Sequence, residues 1–172
     1  MIRFLTIMSS RWTRLVLVML VVLSLQTTLF TELRPFGVAA QLVLLFVVVS
    51  GSINGVAIGA LTGLIAGLMY DFILPTPVGL TSLTLGLAGA TAGLLLYFFD
   101  QPTWWMRLVT VVIVSVLGEI YYPLAQTVIG LDGWLQLRMI KVAIVVAIFN
   151  AILSPLALLI CRWTLAERKL SV

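Results

Sequence analysis

Few side chains in this chain could do chemistry, and their types limit what that chemistry is. Asp71 and Glu119 stand out among the six acidic residues because both sit against long apolar runs. An ionised carboxylate at mid-bilayer costs at least a few kcal/mol, so Glu119 should face a helix-bundle interior or be protonated. Tyr121, Tyr122, Gln126 and Asn150 are its candidate hydrogen-bond donors. A proton relay, a substrate contact, an inter-subunit contact and a register-fixing interhelical hydrogen bond all fit Glu119. Asn150 is most simply interhelical glue, and Pro155 beside Ser154 is expected to kink its helix. Asp71 is expected to be solvated at a membrane interface; the alternative is a hydrogen bond to the next helix or to a partner. The two carboxylates fall on different segments at different depths, so they make no catalytic pair. There is no histidine, nucleophile elbow, phosphate loop or zinc-protease motif. The single cysteine, Cys161, excludes a disulfide within the chain and makes a Cys or His metal site improbable; a buried or lipid-facing thiol is expected. No catalytic residue, cofactor or metal site is expected.

The elements that hold these residues are set by composition. Hydrophobic residues make up 62% of the 172 and charged ones 9%, against about 25% charged in a soluble domain. The expectation is one all-α integral membrane domain over residues 1–172, a compact bundle without a soluble part. Net charge is only +4, and with no long basic cluster it indicates topology and anionic-lipid attraction, with no nucleic-acid footprint. Arg3, Arg11 and Arg14 before an apolar run mimic a signal peptide, but no small-residue cleavage pattern follows, so a retained first helix is expected. Spans are predicted at about 15–30, 38–49, 54–70, 80–99, 105–129 and 137–161. Between Phe36 and Tyr70 no residue is charged; one helix there would reach roughly 50 Å, well beyond a hydrocarbon core of about 30 Å. The stretch must therefore fold back, and its turn-competent cluster is Ser50–Gly55. The second span is short enough to need help from its neighbours to cross. With six spans and both termini cytoplasmic, Arg3, Arg11, Arg14, Arg107, Arg162, Arg168 and Lys169 lie inside, and Arg34, Arg138 and Lys141 outside. Fusing spans two and three would divide the same cations evenly, so the positive-inside rule favours six. All five tryptophans fall at span ends, as interfacial anchors do.

One stretch organises the rest. Gly51, Gly55, Gly59, Gly63 and Gly67 recur every fourth residue, and Asp71 takes the next rung. In water each glycine would cost about 1 kcal/mol of helix stability against alanine. In a bilayer the same residues let a second helix approach closely. The fourth span has a matching small-residue face in Ser82, Gly86, Gly89 and Gly93, and the loop from Asp71 to Gly79 would hold the two antiparallel. Gly51 and Gly55 are assigned to the turn, and Gly59, Gly63 and Gly67 to the packing ridge. Ordinary intramolecular packing explains such a ridge; a docking surface for another membrane protein is the other reading.

The run Gly59-Ala-Leu-Thr-Gly63-Leu-Ile-Ala-Gly67-Leu-Met-Tyr-Asp71, followed by Pro77-Val-Gly79-Leu-Thr-Ser-Leu83, resembles the rod shape-determining protein MreD family. The resemblance extends more weakly to Glu119 and to Asn150-Ala-Ile-Leu-Ser-Pro155. It implies a multi-pass protein of the bacterial inner membrane that scaffolds or regulates the cell-elongation machinery without catalysis, supporting rod shape and lateral peptidoglycan synthesis. The implied partners are an MreC-like bitopic protein, the MreB filament, and the RodA glycosyltransferase with its penicillin-binding transpeptidase. Gly59, Gly63, Gly67, Asp71 and Gly79 would carry the local architecture, and a partner helix would lie along lipid-exposed small-residue surface. The family in turn resembles in fold the substrate-binding subunits of energy-coupling-factor vitamin transporters. A small-molecule carrier is therefore the alternative, although the first span lacks the alanine or glycine that its docking patch would need. A proton-coupled transporter using Glu119 lacks the internal repeat and paired ionisable residues.

Overall fold

The computed structural model describes residues 10–32, 37–38, 40–73, 77–130 and 137–166. The expectations placed on Arg3, Arg34, Trp134, Arg168 and Lys169 lie outside the described residues, as does the side chain of Arg138. Among the described residues six helices follow one another: α1 Arg11–Glu32, α2 Leu42–Asn54, α3 Val56–Asp71, α4 Leu80–Tyr97, α5 Trp104–Val128 and α6 Leu137–Leu165. No strand occurs among the described residues. Three helices, α4, α5 and most of α6, are long and apolar enough to cross a membrane. Large apolar side chains such as Leu20, Leu61, Leu87, Ile113 and Ile152 face outward, which is how a surface solvated by lipid tails is built.

Each expected span corresponds to one helix, but the second differs in place and in rank. It runs to Asn54 rather than ending near Val49, and it is the centre of the molecule. Every residue from Val43 to Ser52 is buried, and α2 contacts all five other helices. A helix apolar all round suits either lipid or a protein core, and here the helices packed on every side make it the core. At about 1.5 Å per residue it is only some 20 Å long. That falls short of a bilayer core, and the surrounding helices remove the need for it to match one. Its valine-rich sequence is a poor helix former in water, and helix is retained because packing on every side decides.

The turn between α2 and α3 is also tighter than the glycine spacing implies. Gly51 lies inside α2, and Gly55 alone makes the reversal, at φ 84°. That left-handed conformation is one side chains rarely adopt. The other helix ends meet at the same level. Arg14 of α1 donates to the carbonyls of Trp163 (2.8 Å) and Ala166 (2.6 Å) at the end of α6. Arg107 of α5 donates to the Ser52 carbonyl near the end of α2 (2.8 Å). Orphan carbonyls at helix C-termini are natural partners for guanidinium groups. Trp12, Trp104, Trp105 and Trp163 gather at this same end. α6 continues through Pro155, whose ring offers no N–H to the Ala151 carbonyl; the Ser154 hydroxyl donates to that carbonyl at 2.8 Å. Cys161 is free and fully buried.

Candidate functional site

Two features are candidates for function, and they meet at Thr81. The first is the interlock of α3 and α4. A Cβ on Gly59 would overlap the Gly89 carbonyl, and one on Gly89 the Gly59 carbonyl. Gly63 abuts the backbone of Leu85 and Gly86, Gly67 that of Ser82, and Gly93 that of Gly55 and Val56. The pairs run antiparallel, so the two glycine rows form one seam of backbone against backbone. Gly51 of α2 meets the Gly89 carbonyl as well, which makes the seam a three-helix junction. Gly86 differs: its nearest neighbours are side-chain atoms of Leu64 at 3.1 Å. The row from Gly59 to Gly67 is thus covered by the chain itself, and the exposed positions of α3 are Ala57, Leu61, Leu64 and Leu68. The row packs against α4 within the chain and leaves no room for a partner helix on that ridge.

Asp71 ends α3, and it is not solvated. It is 1% exposed. Its Oδ2 accepts from the backbone N–H of Gly79 (2.8 Å) and Ser82 (3.2 Å), and its Oδ1 from that of Thr81 (3.1 Å). A helix begins with N–H groups that have no intrahelical acceptor, and the residue at the N-cap of α4 is Gly79, which has no side chain to supply one. Gly79 adopts φ 102°, so the turn requires glycine there and the cap must come from elsewhere. Asp71 is that cap, delivered from the preceding helix, and an acidic group there also suits the helix dipole. Leu80 completes the set by donating to the Pro77 carbonyl at 3.2 Å. The Ser82 hydroxyl then donates to the Leu64 carbonyl at 2.8 Å, stitching α4 back to α3.

The second structure is a cavity of about 480 Å³ at the end where α1, α3 and α5 finish. All six helices contribute to its wall. Gln26 of α1, 7% exposed, donates to the Tyr70 hydroxyl (3.1 Å) and accepts from the backbone N–H of Val43 (2.9 Å). It therefore caps α2, whose own N-cap residue Gln41 makes no side-chain capping bond. Gly118 of α5 lies against the Leu44 side chain, and the next residue, Glu119, lines the cavity. The Oε1 of Glu119 is buried and has no hydrogen-bond partner, and the same holds for the Thr81 hydroxyl. Asn150 does not reach Glu119; its Nδ2 donates to the Ser115 hydroxyl at 2.8 Å. Pro123, one turn beyond Glu119, also lines the cavity and offers no N–H to the Glu119 carbonyl.

The chain matches no family model, no curated protein and no solved structure. Among the described residues no three His, Cys, Asp or Glu side chains lie together, and Asp71 is fully engaged by backbone donors. Gln26, Gly118 and Pro123 were not legible as site residues. Gln26 stands in a polar cluster with Thr27 and Thr28 that passes for a helix end, and proline inside an apolar run signals nothing about a cavity.

Proposed function

We propose that the chain is a six-span protein of the bacterial inner membrane, with both termini cytoplasmic, that acts as a non-catalytic scaffold of the cell-elongation complex in the manner of the MreD family. The observation that carries this reading is the Asp71 cap together with the glycine seam. The residues on which the resemblance rests, Gly59, Gly63, Gly67, Asp71 and Gly79, form one physical unit that ties two helices and their loop into a rigid hairpin. A scaffold needs such a rigid element and needs no reactive group. The grouping of Arg14, Arg107 and four tryptophans at one end supports placing that end at the cytoplasmic interface.

On this reading an MreC-like bitopic protein binds the outward aliphatic faces of the bundle, since the seam is internally occupied. MreB, RodA and its penicillin-binding transpeptidase are the further partners through which lateral wall synthesis is organised. Depletion in a rod-shaped host should round the cells, and tagged chain should recover an MreC-like protein from solubilised membranes. Unchanged rod shape on depletion, with no such protein recovered, would overturn the proposal. Tight vitamin binding in that case would favour the transporter-subunit alternative.

A further inference from the structure

The cavity contains an imbalance that the scaffold reading leaves unused. Its wall is largely aliphatic, with Val38, Leu44, Leu85 and Val142 prominent, and no lysine or arginine lines it among the described residues. Two of its polar side chains, Gln26 and Tyr70, satisfy each other. Two others do not find protein partners. Thr81 is 5% exposed with its hydroxyl unpaired, and the Oε1 of Glu119 is buried without a donor. An unsatisfied buried polar atom costs about 1–3 kcal/mol, more for a charged group. Intrahelical geometry explains neither: α4 and α5 are long regular helices whose other buried hydroxyls, such as those of Thr84 and Thr110, bond to backbone carbonyls.

We propose that this cavity binds a small amphiphilic molecule whose ammonium group donates to Glu119, with the Thr81 hydroxyl as a second contact and the apolar body against the aliphatic wall. The volume lies within the range of sites that enclose drug-sized ligands, and an apolar wall with a few convergent polar groups is their usual make-up. Among the described residues Glu119 is the single acidic group of the wall and no cation lines it, which favours a donor-bearing cation over an anion. The contact is held in place from outside the cavity. Asp71 anchors the backbone of Thr81, and Gly118 lets α5 close on α2, so the two unpaired groups are presented by a rigid frame. Ligand binding is a property of the folded chain and does not depend on which proteins it recruits.

The test uses the full chain in phosphatidylcholine nanodiscs with dansylcadaverine, an aromatic group on a primary-ammonium tail. N-hexyldansylamide, in which a methyl replaces the ammonium, is the control, and empty nanodiscs define partitioning into lipid. A saturable, protein-dependent emission shift is expected with dansylcadaverine and not with the control. Glu119→Gln should weaken it by about tenfold or more, as loss of a charge-assisted hydrogen bond does. Val142→Trp should block it by filling the cavity. Equal saturable binding of both probes, no saturable binding of either, or an unchanged affinity in folded Glu119→Gln overturns the proposal. If a variant fails to fold, the preference of the wild-type chain between the two probes decides. Cell shape and MreC-like recovery test the scaffold reading separately, so the two can fail independently.

Discussion

Replacing Asp71 tests the central device of the fold, and the structure sets the expected order of effects. Asp71→Ala removes the acceptor of three backbone N–H groups. The bond from Gly79 is only partly buried, so water can replace it, whereas those from Thr81 and Ser82 are buried. At about 1–3 kcal/mol for each buried donor left unpaired, the loss should be roughly 2–6 kcal/mol. That is a large share of a total stability of about 5–15 kcal/mol. Asp71→Asn should be milder. Its amide oxygen can take the Oδ2 position and keep Gly79 and Ser82, leaving only Thr81 facing an NH2 group, at about 2 kcal/mol. Asp100→Asn, on an exposed loop, serves as the control. Unfolding in mixed dodecyl sulfate micelles, followed by circular dichroism, gives the stabilities, and amide exchange at Thr81 and Ser82 should accelerate selectively. An Asp71→Ala variant as stable as wild type, or an Asn variant worse than Ala, would refute the cap.

Two further substitutions follow from the same geometry. Gly59→Ala should destabilise by more than the 1–3 kcal/mol usual for overpacking, because its Cβ meets the Gly89 backbone, whereas Gly86→Ala meets the Leu64 side chain at 3.1 Å and no backbone closer than 3.6 Å, and should be tolerated better; the same unfolding assay ranks them. Gln26→Leu should cost about 2–4 kcal/mol, by unpairing the Val43 N–H and the Tyr70 hydroxyl, and should expose α2 amides to exchange that remain protected in wild type.

Much of the architecture was legible because it rests on local rules. Charge depletion and run length predict helices, the impossible length of the Phe36–Tyr70 stretch predicts a reversal, and the four-residue spacing of Gly59, Gly63 and Gly67 predicts a ridge along one helix. What stayed hidden depends on which neighbour a side chain meets. Asp71 next to a proline-containing loop has the pattern of a solvated interfacial acid. Its burial follows from the glycine seam, which draws the start of α4 within reach of its oxygens. Gly51 has the same spacing as Gly55, yet one packs and the other turns, a choice made by the Gly89 carbonyl opposite. The second span, expected to be marginal, became the core helix Leu42–Asn54 because five helices surround it, and no one-dimensional pattern records how many neighbours a helix has. Glu119 was recognised as costly from the sequence, since a carboxylate in an apolar run has few comfortable settings. Only the tertiary structure decided that it would face a cavity beside Thr81 rather than pair with Asn150, because the rotation of α5 against α6 gives Asn150 to Ser115.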